Sequence, residues 1–290
     1  MKPTRAVVPL AGLGTRLYPM TKAVPKALLP IPGPDGALRP AIEWIVREVV
    51  AAGIEEIVLV VSPREGEAIR RYFTDPPALI PSGASGDRIA RAWNEIAPLG
   101  RRLTYAVQQN PGGFGHAVLQ AAEYVGGEPF LLCLGDHLYR SRTAASCSTQ
   151  VIAAAATHGA GVLGVRRIPE RECSAYGVVG VVPEPVSRFV YRLHDLIEKP
   201  SPAQAHALRL VDTEPPLVLV IFGIYLLPGS LMSDLAAVAQ TWHGELDLSA
   251  ALRAWFSREG GLALEVQGEF FDVGTADGYK TAFKDFPRPL

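Results

Sequence analysis

The stretch RAVVPLAGLGTRLYPMTKAVPKALLPI, residues 5–31, passes from an apolar run directly into glycines and cations. Residues 5–10 read as a strand, Gly12 and Gly14 follow at once, and no Asp or Glu occurs between Met1 and Pro34. Lys2, Arg5, Arg16, Lys22 and Lys26 give that segment a formal +5 within a chain of 290 residues whose net charge is -1. Anion recognition is therefore local, and no global field favours nucleic acid or a membrane surface. Glycines after a strand let the backbone approach an anion and turn amides toward it, and Arg16 adds a permanently charged fork suited to phosphate oxygens. The segment predicts an α/β protein that holds an anionic ligand beyond the carboxyl end of its first strand.

Beyond it, apolar β-rich runs alternate with helical patterns, as βαβ units around a mostly parallel sheet require. Residues 40–52 carry a stripe of Trp44, Ile45, Val49 and Ala52 closed by Gly53, and Glu56–Val61 has almost no polar side chain, as a fully buried parallel strand should. A helix over 68–73, a strand Leu103–Val107, a helix over 114–125, a strand over 129–134, a helix over 144–157 and a strand over 161–165 continue the pattern. After about residue 170 the strands 177–182, 189–197 and Leu217–Leu227 and the helices near 230–239 and 248–258 read as an extension of the same sheet. Residues 75–87, with Pro and Gly, are the expected flexible insertion.

With 48% hydrophobic and 20% charged residues the chain can bury a large core. It enters a strand without an apolar leader, and its longest weakly polar run, near 151–165, is broken by Thr157 and His158, so a cytoplasmic protein without a membrane span is expected. Cys133, Cys147 and Cys173 form no C-x-x-C pair and read as small core residues.

Two standard nucleotide loops are excluded. No G-x-x-x-x-G-K-[ST] string exists, and G-x-G-x-x-G would need glycine where Leu17 stands, which also disfavours a nicotinamide dehydrogenase. FLLCLGDHL ends an apolar run in Gly135 and Asp136, and FFDVGT repeats that form at Asp272. One such carboxylate alone is more often a turn or cap residue; beside a triphosphate it becomes a hard oxygen ligand for Mg2+, and Asp272 could be the second. LIEKPS sets Glu198 and Lys199 before Pro200, either as an exposed strand end or as a carboxylate for sugar hydroxyls beside a point charge for phosphate. Gln108 precedes Gly112, Gly113 and Gly115; its amide can pair with a base edge while glycines let a flat ring lie on backbone. His116 reads as structural and His137 as outer support for Asp136; the six histidines show no metal-ligand spacing, and there is no G-x-S-x-G elbow.

In this order, AGLGTRLYPMTKAVPK, GFGHAVL, LGDH, AYGVV, IEKP and DVGT cover nearly the whole chain and resemble the sugar-1-phosphate nucleotidylyltransferases. The resemblance implies a Rossmann-like α/β fold, a mostly parallel mixed sheet with helices on both faces. It also implies reaction of a nucleoside triphosphate with a sugar 1-phosphate, releasing pyrophosphate, with Mg2+ as cofactor. It assigns catalysis to Arg16 and Lys26, and nucleotide binding to Ala11, Gly12, Gly14, Thr15, Gln108 and Gly113. Gly177, Glu198 and Lys199 match sugar-phosphate contacts, and Asp136 and Asp272 the metal ligands. One domain over 1–290 is expected, about 1–168 as nucleotide-binding core and about 169–290 as sugar-binding extension.

Within the family, AGLGTR, AAGIEEIVLVVS, GHAVL and AYGVV resemble the uridylyl branch, which uses UTP and glucose 1-phosphate, whereas LGDH and DVGT are nearer the thymidylyl branch, the alternative. Ala27 stands where relatives usually carry a Glu or Gln that helps read the base. The expected partners are small-molecule substrates, with no nucleic acid and no membrane; a homo-oligomer is left open. A non-catalytic nucleotide-sugar-binding regulatory module is the alternative from another class, and retention of Arg16, Lys26, Asp136, Lys199 and Asp272 argues against it.

Overall fold

β-branched runs become strands where both of their faces find apolar cover. The computed structural model describes residues 1–182, 186–211, 213–241 and 243–287. Its strands are β1 (Arg5–Pro9), β2 (Pro30–Pro32), β3 (Leu38–Pro40), β4 (Glu56–Val61), β5 (Leu103–Val107), β6 (Phe130–Cys133), β7 (His137–Ser141), β8 (Val162–Pro169), β9 (Gly177–Val181), β10 (Val190–Glu198), β11 (Leu217–Leu227), β12 (Leu262–Glu265) and β13 (Gly268–Asp272). The main sheet has the order β5-β4-β1-β6-β11-β8-β12-β10-β9.

The first half of that sheet is parallel: β5 with β4, β4 with β1, and β1 with β6. Ala6 and Val8 face one apolar cluster and Val7 the other, so β1 is covered on both sides. Helices Ala41–Ala51 and Cys147–His158 pack on the first face, and Phe114–Leu119, Leu231–Thr241 and Ser249–Glu259 on the second. Beyond β6 the pairing turns mixed. β11 is antiparallel to β6 and β8, β12 is parallel to β8, and β10 is antiparallel to β12 and β9. β9 also pairs with β11, which closes β11, β8, β12, β10 and β9 into a ring. β7 and β13 form a separate antiparallel ribbon, and β2 and β3 a hairpin.

The three cysteines are free and buried, as expected of core residues. The expected insertion at 75–87 is shorter than its composition suggests, because helix Ala84–Gly100 begins inside it. Gly86 in its first turn and Pro98 near its end mask that helix in the sequence.

Glu48 ties two helices together by accepting from the Ser148 amide at 2.7 Å. Burial pushes its carboxyl above the ordinary value, against hydrogen bonds from Ser148, Ser146 and Cys147 that pull it down. A raised folded-state pKa means that the native state holds the proton longer, so this group's stability contribution falls as pH rises from the unfolded value through the folded one. Glu48→Gln keeps an acceptor for Ser148 and removes the charge. Its effect on Tm is expected to be more favourable at pH 8 than at pH 4, and an identical shift at both pH values would contradict the assignment.

Candidate active site

Chain order reverses across β1: β4 and β5 follow on one side and β6 on the other. In open α/β sheets the crevice beyond the strand ends at such a point is where ligands sit. The loop leaving β1 keeps Ala11 buried and Gly12, Thr15 and Arg16 exposed. Gly14 has φ 64, and its carbonyl accepts from Thr21 Oγ1 at 3.0 Å, which folds the loop onto helix Met20–Ala23. Lys26 opens the turn Lys26–Leu28 and crosses the crevice, with Nζ 2.8 Å from Asp136 Oδ2.

Asp136 lies just past β6, and the Val273 amide donates to its carbonyl at 2.8 Å. The β7–β13 ribbon sets Asp272 opposite His137. Ligand atoms of Asp136, His137 and Asp272 all lie within 4.8 Å of one another. Gly274 marks the convergence: a Cβ there would sit 2.7 Å from Asp136 Oδ2, 2.9 Å from Asp272 Oδ1 and 3.3 Å from Arg16 Nη2. Asp272 Oδ1 accepts from the Gly274 amide at 2.7 Å. Among the described residues, no hydrogen bond engages Asp136 Oδ1 or Asp272 Oδ2, and hard oxygens of this kind are the donors that a hard divalent ion takes. Burial raises the Asp136 carboxyl, but Lys26, His137 and Arg16 outweigh it and hold the group below its ordinary value. Burial pushes His137 down in spite of the pull of both carboxylates.

A second group forms where β9 meets β10. Gly177 pairs with Glu198, and a Cβ on Gly177 would lie 2.8 Å from Glu198 Oε2, so the carboxylate lies against bare backbone. Burial raises the Glu198 carboxyl, with Lys199 lowering it and Asp247 raising it. Lys199 has φ 47, a left-handed conformation that costs a non-glycine residue about 1–3 kcal/mol and clusters at functional sites. A stack joins this group to the carboxylates. His137 lies on Phe270 with centroids 4.3 Å apart and planes at 4°, and the Arg166 guanidinium sits 4.1 Å from the Phe270 centroid. Arg166 Nη2 donates to the Tyr176 hydroxyl at 3.2 Å, and the Tyr176 carbonyl accepts from the Lys199 amide at 3.0 Å.

The third group follows β5. The Gln108 amide nitrogen of the backbone donates to Val61 at 2.9 Å and fixes the residue at the strand end. Gly113 has φ 95, and a Cβ there would lie 2.7 Å from the Leu246 carbonyl oxygen, so only glycine fits. Leu246 exchanges hydrogen bonds with Gly112 and Gly115 at 2.7 and 2.8 Å, and the charge of the next residue, Asp247, helps to raise the Glu198 carboxyl.

The first two groups are thus joined through His137, Phe270, Arg166, Tyr176 and Lys199, and the third follows β5, the strand at the other end of the parallel half. Ala27 is buried in the core, so the position for which the resemblance implies a base-reading Glu or Gln offers a ligand no polar side chain. Arg166, Phe270 and Asp247 escape the sequence reading, because an arginine on a strand and an aromatic in a ribbon carry no motif. The only signal was the aromatic pair in FFDVGT.

A parallel half-sheet with a cationic glycine loop and two carboxylates at its reversal point defines an α/β enzyme of phosphate chemistry. The chain belongs to the nucleotidyl transferase family, whose sequence model matches residues 5–288. Among its relatives, the UTP–glucose-1-phosphate uridylyltransferase YngB of Bacillus subtilis (strain 168) is 33% identical over 276 residues, which cover 94% of this chain and 86% of that protein. A UDP-glucose pyrophosphorylase solved in complex with UDP-glucose is 26% identical and superposes with a TM-score of 0.81 over 99% of this chain and 98% of its own. A UTP-bound UGPase from Acinetobacter baumannii superposes with a TM-score of 0.77 at 27% identity, over 99% and 93%. Among the described residues, no helix is long and apolar enough to cross a membrane.

Proposed function

We propose that the protein transfers the uridylyl group of UTP to glucose 1-phosphate, forming UDP-glucose and pyrophosphate. The observation that carries the chemistry is the convergence of Arg16, Lys26, Asp136 and Asp272 at the reversal point of the sheet. The choice of uridylyl over thymidylyl transfer rests on the relatives named above.

An oxygen of the sugar phosphate attacks the α-phosphorus in line, the bond to pyrophosphate breaks, and negative charge builds on the equatorial and leaving oxygens. No protein nucleophile is needed, so positioning and positive charge suffice. The 11–16 loop holds the triphosphate with its amides and Arg16, and Lys26 stabilises the reacting phosphate oxygens. Gln108 and Gly113 hold the base, Gly177 and Glu198 the sugar hydroxyls, and Lys199 the sugar phosphate. Asp136 and Asp272 fit Mg2+, which when bound neutralises phosphate charge. We read residues 1–290 as one domain, with the nucleotide held by the parallel half and the sugar by the ring. Three free buried thiols suit a reducing cytoplasm.

Pyrophosphate release across a matrix of UTP, dTTP, CTP, ATP and GTP with several sugar 1-phosphates tests the reading. UTP with glucose 1-phosphate is expected to be the fastest pair. A faster reaction with dTTP would favour the thymidylyl alternative, and no release from any pair would favour the binding module.

A further inference from the structure

Gln108 and His116 decide which amide atom faces outward. Gln108 Nε2 lies 3.2 Å from the Gly113 carbonyl oxygen and 2.8 Å from His116 Nδ1. A carbonyl only accepts, so the atom facing Gly113 is the NH2 group, and its second proton goes to His116. His116 Nδ1 is therefore an acceptor, and the ring proton sits on Nε2. Gln120 does not compete for it. Gln120 Nε2 donates to the His116 carbonyl at 3.1 Å, so its 3.3 Å approach to the ring Nε2 is a contact between two nitrogens and not a hydrogen bond. The ring rests on bare backbone, since a Cβ at Gly112 would lie 2.8 Å from both its Cγ and its Nδ1. Both N–H groups of Gln108 are thus committed within the protein. Of the Gln108 side-chain atoms, Oε1 accepts no hydrogen bond from the described residues.

We propose that His116 is a positioning residue for base recognition: by accepting one Gln108 amide proton, it holds Oε1 outward as an acceptor and makes the site select bases that present a ring N–H. The inference rests on the base contact assigned to Gln108 under the uridylyltransferase reading. Uracil presents N3–H to such an oxygen and gains a hydrogen bond. Cytosine presents the bare N3 lone pair, so its ring nitrogen and Oε1 repel one another and neither finds a donor. A freely rotating glutamine would escape by flipping its amide and offering NH2 instead. Flipping here would set Oε1 against the Gly113 carbonyl, and it would take the donor from His116 unless the ring also moved its proton to Nδ1, so two groups must change together. Discrimination then comes from an unfavourable arrangement built against the wrong base as much as from attraction to the right one.

Equilibrium affinities for UTP and CTP, measured by calorimetry without sugar phosphate, test this apart from catalysis. His116→Phe keeps a ring over Gly112 and removes the acceptor. His116→Asn restores an acceptor oxygen near the place of Nδ1, and Gly112→Ala displaces the ring without altering it. The wild type is expected to prefer UTP. The UTP-to-CTP affinity ratio is expected to fall about tenfold in His116→Phe and Gly112→Ala, the worth of one hydrogen bond, and to recover in His116→Asn. A ratio unchanged in His116→Phe and Gly112→Ala, or a wild type without preference, overturns the proposal. Should His116→Phe bind neither nucleotide, Gly112→Ala decides. Pyrophosphate release by the same wild-type preparation reports separately on the uridylyltransferase reading, so failure of either leaves the other measurable.

Discussion

Lys26→Met lowers the turnover of pyrophosphate release about a hundredfold at saturating UTP and glucose 1-phosphate, the effect of removing one well-placed charge donor, roughly 3 kcal/mol of transition-state stabilisation. The expectation follows from where the ammonium sits. Its partner Asp136 lies just beyond β6, and Arg16 and Asp272 lie around the same point, so Nζ stands at the crevice between β1 and β6. The side chains of the pair are only 14% and 20% exposed, so water screens the charge weakly and its field reaches the reacting oxygens. The same shielding means that Lys26→Met leaves a carboxylate without its main partner, and some loss of stability accompanies it. Turnover is therefore compared with wild type well below both Tm values. If Lys26 served only to fold the loop, Lys26→Met would lower Tm while the surviving native enzyme kept wild-type turnover, and that result would refute the catalytic role. A rise in KM alone with turnover unchanged would place Lys26 in ground-state binding instead.

How much of this was legible in the sequence depends on the range over which each feature is determined. β4 and β11 were readable to the residue, because long apolar runs buried on both faces need nothing else to specify them. β7 and β13 were not. HLYRS mixes polar and apolar residues without a clean period, and GEFFD becomes a strand only because β7 lies beside it. The ring closed by β9 and β11 is a long-range pairing that no local pattern announces. The site divides in the same way. Lys26, Asp136 and Asp272 each stood out by composition, but their meeting depends on β1 and β6 being neighbours and on β13 folding back beside β7, which strand order alone decides. Arg166 illustrates the limit: its neighbour Arg167 turns to the other face of β8, where it pairs with Glu265 and the Tyr191 hydroxyl, and only the alternation of β8 sends Arg166 to Phe270.

Asp136→Asn and Asp272→Asn are each expected to raise the Mg2+ concentration needed for half-maximal activity at least about tenfold and to lower maximal turnover about a hundredfold. Both substitutions keep shape. Asn at 272 can still accept from the Gly274 amide, and Asn at 136 can still accept from Lys26, so the local hydrogen bonds survive while the charge is lost. The informative variant is the double one. If Asp136 Oδ1 and Asp272 Oδ2 hold one shared ion, the first substitution already removes most of what the second could remove, and the double variant is little worse than the more impaired single. Two carboxylates acting independently would instead multiply their losses. Unchanged Mg2+ titrations in both single variants, or full multiplication in the double, would refute a shared cation. The loss should not be repaired by raising UTP alone, because saturation with the triphosphate restores ground-state occupancy and not the charge that the carboxylates place at the reacting phosphate.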